Sequence, residues 1–229
     1  MKPCNSKDLR YEIKFVATEL EHDRLLQWID MHPACFFNHY QDRQVNNIYF
    51  DSHNYSSYSA NIFGLSSRTK VRYRWYGLSI PPTHGALEIK HKRNSYSWKN
   101  IYKVDKINLT PNLIWPEFKK KLNQRLTPAS KMWLDFNPLV VLINRYQRKY
   151  FICASEEIRV TLDSDMQVYS QEKNFSPNYS HKENIPRTCV LEFKFPRKLR
   201  KEAADIMSNI PIRVSRHSKY INGLLSINR

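Results

Sequence analysis

The run Lys70-Val71-Arg72-Tyr73-Arg74-Trp75-Tyr76-Gly77 carries a cation at every second position from Lys70 to Arg74. Its β-branched and aromatic content with strict alternation predicts a strand. Successive strand side chains point to opposite faces, so Lys70, Arg72 and Arg74 share one face and Val71, Tyr73 and Trp75 the other. Guanidinium forks grip phosphate oxygens in pairs and an ammonium is a compact point charge, so such a face suits a polyanion, phosphate above all. A lone strand of this kind also fits an ordinary antiparallel sheet with one wetted face.

The pattern recurs, which separates the two readings. Arg10, Glu12 and Lys14 oppose Tyr11, Ile13 and Phe15, and Glu88, Lys90 and Lys92 alternate with Leu87, Ile89 and His91. Arg159, Thr161 and Asp163 alternate with Val160 and Leu162, and Glu192 and Lys194 with Leu191, Phe193 and Phe195. Strands with one charged and one apolar face predict an α+β fold: a closed antiparallel β-barrel of about eight strands, its lumen charged and helices packed outside.

The elements that position these residues follow from periodicity. Strands are expected at 9–16, 45–51, 70–77, 86–92, 95–104, 139–151, 158–162 and 189–195, with Tyr96, Trp98 and Ile101 on the apolar side of the fifth. Helical patterns cover 19–31, with Leu20, Leu25, Leu26 and Ile29 as the apolar stripe, then 111–126 and 197–207. Residues 54–63 read as a short helix or turn, and a basic turn at Arg216 enters a final helix. Pro81-Pro82 marks a loop, and the polar stretch 169–186 reads as a mobile surface excursion. Lys119-Lys120-Lys121 reads as a solvated helix face.

Composition narrows the partners. A chain of 229 residues with net charge +16 calls for an anionic one: nucleic acid, an anionic membrane surface or a phosphate-rich small molecule. With four glycines and no GxxxxGK[ST] or GxGxxG pattern, a glycine-rich phosphate loop is excluded, and side chains must hold any phosphate. Cys4, Cys35, Cys153 and Cys189 lack CxxC spacing, which argues against zinc ribbons and reads as reduced thiols of a cytoplasmic protein. No stretch has the length of a membrane span. The basic residues alternate along strands instead of forming an exposed aromatic and basic platform, which disfavours nucleic acid.

In chain order the motifs are R-x-E-x-K, YFD, VRYRWYG, LEIK, YxR, IRVTLD, LEFK and a basic SKY turn. This series resembles the VTC (vacuolar transporter chaperone) catalytic domain, the polyphosphate polymerase branch of the triphosphate tunnel metalloenzyme (CYTH-like) superfamily, from about Leu9 to Leu225. The resemblance implies one domain over 9–226 behind a tail of 1–8, and a metal-dependent phosphotransferase. Such an enzyme passes the γ-phosphate of ATP to a growing polyphosphate chain, using Mn2+ or Mg2+. It further implies that Arg72, Arg74, Lys90 and Arg148 grip the reacting phosphates. Lys14, Tyr146, Arg159, Arg216, Ser218 and Lys219 would contact substrate, and Glu192, with Glu12, would hold the metal. A membrane-protein partner encoded separately is part of the same expectation. The family's eukaryotic polymerases have lysine where Arg216 stands, which changes the contact from point charge to fork. Hydrolytic members carry a glutamate where Arg10 stands, which favours a polymerase over a two-metal hydrolase.

The residues by themselves leave alternatives. The same fold serves triphosphatases, and a non-catalytic module for polyphosphate, nucleotide or nucleic acid would share the charge. Glu12 either ligates metal or pairs with Arg10 or Lys14, and Glu88 is equally divided. Tyr146 is a ligand contact or a packed aromatic, and Arg159 a lining residue or a partner of Asp163. Asp51 reads as a cap or turn residue, and the histidines show no metal-ligand spacing.

Overall fold

The computed structural model describes residues 10–227 apart from 81, 83, 95, 106 and 108–111. The expected tail of 1–8, together with Leu9, Pro81, Ser95 and Pro111, lies outside the described residues. The strands are β1 (Arg10–Thr18), β2 (Phe37–Asp51), β3 (Ser67–Tyr76), β4 (Gly85–Arg93), β5 (Tyr96–Val104), β6 (Leu139–Ile152), β7 (Arg159–Ser170) and β8 (Thr188–Pro196). The helices are α1 (His22–Asp30), α2 (Ser56–Ile62), α3 (Trp115–Gln124), α4 (Pro128–Phe136), α5 (Arg200–Met207) and α6 (Lys219–Ile227).

All eight strands join one sheet in the order β1-β8-β7-β6-β2-β3-β4-β5, and the α+β class is as expected. Closure goes too far, because β1 and β5 end the order with no ladder joining them among the described residues. β2 starts at Phe37 instead of Val45, since its first half is polar and exposed and gives no apolar alternation. The helix α4 was not anticipated, although Pro128 at its first turn behind Thr127 is a helix-start signal.

By compactness the chain divides into two units, each assembled from separate stretches. The first takes residues 1–43, 146–166 and 186–218. In it the apolar sides of β1, β7 and β8 (Phe15, Val160, Leu162, Leu191, Phe193) bury against Leu25 and Ile29 of α1 and Ala203 and Ile206 of α5. Each valine, leucine, isoleucine or phenylalanine so buried contributes roughly 1.5–3 kcal/mol. Leu20, expected in this stripe, is 95% exposed, because Glu19–Glu21 forms a separate 3-10 turn ahead of α1. The outer edge of β1 receives residues 214–215: Val214 bridges Phe15, and the Ser215 amide donates to the Lys14 carbonyl at 2.8 Å.

The second unit takes residues 44–145, 167–185 and 219–229. Its core sets Val71, Tyr73, Trp75, Leu87, Ile89 and Val104 against Trp115, Phe118 and Leu122 of α3 and Leu134 of α4. Gly85 lets β4 begin close to β3, since a Cβ there would fall 2.6 Å from the Arg74 carbonyl and the Tyr73 ring. The stretch after β7 is tied down, contrary to the mobile excursion expected. Gln171 Nε2 donates to the Asn178 carbonyl at 2.8 Å, and the Trp115 amide donates to the Phe175 carbonyl at 3.0 Å.

Candidate functional site

Two charged faces stand out, one in each unit. In the second unit the cross-strand register decides which side chains share a side, because directly opposed residues do. Lys70 faces Lys90, which faces Lys99; Arg72 faces Glu88, which faces Ile101. Arg74 faces Ala86 and then Lys103, and Arg68 faces Lys92. On β3, β4 and β5 this face therefore carries Arg68, Lys70, Arg72, Arg74, Lys90, Lys92, Lys99 and Lys103 against one carboxylate, Glu88. Ile101 lies on this charged side and is 52% exposed; its odd spacing from Trp98 puts it opposite to where it was expected.

Glu88 organises the face. Its Oε2 accepts from Arg72 Nη2 at 2.6 Å and from Arg72 Nε at 2.8 Å, and its Oε1 accepts from Lys99 Nζ at 2.7 Å. Arg74 Nη1 stands 3.8 Å from the same carboxylate. Two residues of β2 steady the arginines: Tyr49 Oη accepts from Arg72 Nη1 at 3.3 Å, and Asn47 Oδ1 accepts from Arg74 Nε at 2.8 Å. Burial alone would raise the Glu88 carboxyl, but Arg72, Arg74 and Lys99 together hold it well below the usual carboxylate range. Lys99 moves the other way: burial lowers it, and the neighbouring arginines add to that against the pull of Glu88. The arginines are thus the main support of Glu88, and Lys99 holds its proton less firmly than an ordinary lysine.

The face of the first unit is more nearly balanced. Lys14 Nζ bonds Glu12 Oε1 at 2.7 Å, lies 3.4 Å from Glu192 Oε2 and donates to the His217 carbonyl at 3.4 Å. Lys194 closes on the other oxygen of Glu192. Burial works to lower the Lys14 ammonium, but Glu192 and Glu12 outweigh it and raise it above its ordinary value. Arg148 forms a two-point pair with Asp163, Nη2 to Oδ2 at 2.7 Å, and lies over the ring of the buried Tyr146. Arg159 is exposed opposite Lys194, and Asp163, the partner considered for it, is engaged by Arg148. Arg216 is exposed and Ser218 half-buried beside His217. Lys219, the first residue of α6, belongs to the second unit and is half-buried.

The metal expectation meets two carboxylates with an ammonium between them. Among the described residues no three His, Cys, Asp or Glu side chains gather as ligands. Magnesium-type sites commonly use one or two carboxylates and fill the remainder with water and phosphate oxygens. Glu12 and Glu192 would be the two carboxylates of such a site, and in this structure Lys14 holds both of them. Sequence reasoning placed Lys194 beside Glu192 but missed Lys99, Lys103, Asn47 and Tyr49 as members of these faces. The lysines of β5 were legible from strand parity, whereas Asn47 and Tyr49 needed the register of β2 on β3.

A family model described as the VTC domain matches residues 9–228. The chain belongs to the VTC domain family. Among curated proteins nothing matches the sequence. Of solved structures, a candidate adenylate cyclase from Vibrio parahaemolyticus is similar at a TM-score of 0.53 and 12% identity. The match covers 93% of this chain and 97% of that one, a likeness of fold. At that identity the likeness shows a shared fold and nothing of what this VTC domain binds. No helix among its described residues is long and apolar enough to cross a membrane.

Proposed function

We propose that this VTC domain is a polyphosphate polymerase that transfers the γ-phosphate of ATP to a growing polyphosphate chain with help from Mn2+ or Mg2+. The observation that carries the reading is the face of β3, β4 and β5, with eight cations and a single carboxylate. Phosphoryl transfer asks little covalent work of a protein; positioning and charge stabilisation supply most of the rate. Arg72 and Arg74, already oriented by Glu88, Tyr49 and Asn47, offer forks for the equatorial phosphate oxygens, and Lys90 and Lys70 add point charge.

In the reaction a terminal oxygen of the polyphosphate chain attacks the γ-phosphorus in line. The bond to the β,γ-bridging oxygen breaks, ADP departs, and the chain is one phosphate longer. No enzyme nucleophile is needed. Glu12 and Glu192 would hold the divalent ion, which when bound offsets charge on the phosphates. Arg10, where hydrolytic relatives have a glutamate, supports chain extension over water attack.

Incubation with ATP and Mn2+, followed by gel analysis of the product, tests this. The expected result is a ladder of long polyphosphate. Free orthophosphate alone would replace the polymerase with a triphosphatase.

A further inference from the structure

Within the first unit, β2 and β6 build a ladder in which rings and guanidinium groups alternate. The Arg148 guanidinium carbon lies 5.3 Å from the ring centre of Tyr146 and 5.9 Å from that of Tyr150. That of Arg43 lies 5.3 Å from Tyr150 and 5.0 Å from Tyr40. The rings of Tyr40 and Tyr150 meet edge to face, 5.6 Å between centroids. Contacts of this kind occur about once per 70–80 residues; here four of them join five side chains.

The two ends of the ladder differ. At the inner end Tyr146 is buried and Arg148 is closed by Asp163. At the outer end Tyr40 is 48% exposed, although Arg43 stands on its ring. The nearby carboxylate Asp42 is engaged by Lys149 at 2.7 Å. Beside Tyr40, ring centroids 4.2 Å apart, the Nε2 atom of His39 is buried with no hydrogen-bond partner among the described residues. An exposed ring backed by a cation, next to an unsatisfied ring nitrogen, serves no core. It suits a flat, hydrogen-bonding, electron-rich ligand.

We propose that Tyr40, Arg43 and Tyr150 form a stacking site for the base of a nucleoside triphosphate. This rests on the reading above that a nucleoside triphosphate is the phosphoryl donor, and it adds the part of that donor a cationic face alone does not recognise. Every base has a π-face, so a tyrosine and guanidinium platform selects nucleotide over bare tripolyphosphate while separating ATP from GTP only weakly. The ladder leads from the exposed Tyr40 inward to Arg148, one of the expected phosphate ligands.

Titration calorimetry with ATP, GTP and tripolyphosphate on the wild type, Tyr40→Ala and Tyr40→Trp tests the site. Base stacking on an aromatic side chain gives about 5- to 100-fold in affinity. ATP and GTP should therefore bind the wild type at least about fivefold tighter than tripolyphosphate. Tyr40→Ala should erase that margin without weakening tripolyphosphate, and Tyr40→Trp should keep it. Equal affinity for ATP and tripolyphosphate in the wild type overturns the site, as does a Tyr40→Ala loss shared by both ligands. If tripolyphosphate fails to bind while ATP binds in a Tyr40-dependent way, the phosphate reading falls and the stacking site stands. If neither ligand binds, both fall. An oligoadenylate that outcompetes ATP through Tyr40 would overturn the mononucleotide assignment in favour of single-stranded RNA.

Discussion

Glu88 is a resident anion inside a ring of cations, and its removal should separate stability from ligand response. Taking one member from a buried ion cluster costs roughly 3–5 kcal/mol, because the partners remain buried without their counter-charge. Glu88 is only 4% exposed, so little of that is lost to solvent screening. Glu88→Gln should lower the melting temperature of the anion-free protein, yet enlarge the rise caused by tripolyphosphate, which restores the missing charge. The pH dependence has a definite sign. A carboxyl held below its unfolded value stabilises fully above that value, about 4.3, and the contribution drains away as pH falls toward the folded one. The gap in melting temperature between wild type and Glu88→Gln should thus be constant from pH 5 to 8 and close below pH 4. A gap unchanged at acid pH would mean that the carboxylate charge contributes nothing. Lys14, raised by Glu192 and Glu12, has the opposite sense: its contribution is complete below about 10.4 and is lost as pH rises through the folded value.

Among the elements, α2 and α6 are joined through one buried carboxylate. Asp51, at the end of β2, accepts the amides of Ser52 at 2.8 Å, Ser57 at 2.9 Å and Tyr58 at 3.1 Å, and the hydroxyl of Tyr220 in α6. Hydrogen bonds to charged groups are worth about 1.5–3 kcal/mol. Tyr220→Phe should cost that much in urea unfolding while leaving the yield of polyphosphate unchanged; an undiminished stability would show that the three amides alone satisfy Asp51. The capping role of Asp51 was legible from the sequence, because a carboxylate closing a strand ahead of a short serine-rich stretch has few other uses. So were β1, β3, β4 and β8, whose alternation is regular. The first half of β2 was not, since Asn38, Tyr40, Asp42 and Arg43 give no apolar period and a single chain does not reveal the neighbouring strand. The faces were predicted from parity, but the pairing of Arg148 with Asp163 and the gathering of Arg72, Arg74 and Lys99 on Glu88 depend on register, which is a property of strand pairs.

For the molecule as a whole, the charge of +16 is a stored repulsion. Two cations about 5 Å apart at an effective dielectric near 20 repel by roughly 3 kcal/mol, and the Lys70, Lys90 and Lys99 row sets three side by side. A polyanion relieves this. Tripolyphosphate at a hundred times its dissociation constant stabilises by about 2.7 kcal/mol, which for a chain of this size raises the melting temperature by roughly 5–10 °C. Thermal scans at low ionic strength should show that rise in the wild type and a much smaller one when Arg72→Ala and Arg74→Ala are combined. No rise in the wild type would refute anion binding by this face. High salt should shrink the effect, as exposed charges are screened beyond about a Debye length.

The outermost position of β5 has a consequence of another kind. No further strand of the described chain joins it, so a row of its amides and carbonyls has no neighbour in the sheet, the situation in which separate copies tend to zip together. Lys99 and Lys103, placed along that border, make such self-association electrostatically costly. The lysines assigned to the proposed phosphate face thereby also keep one molecule from templating the next, and a crowded, polyanion-rich setting that masks them would remove that safeguard.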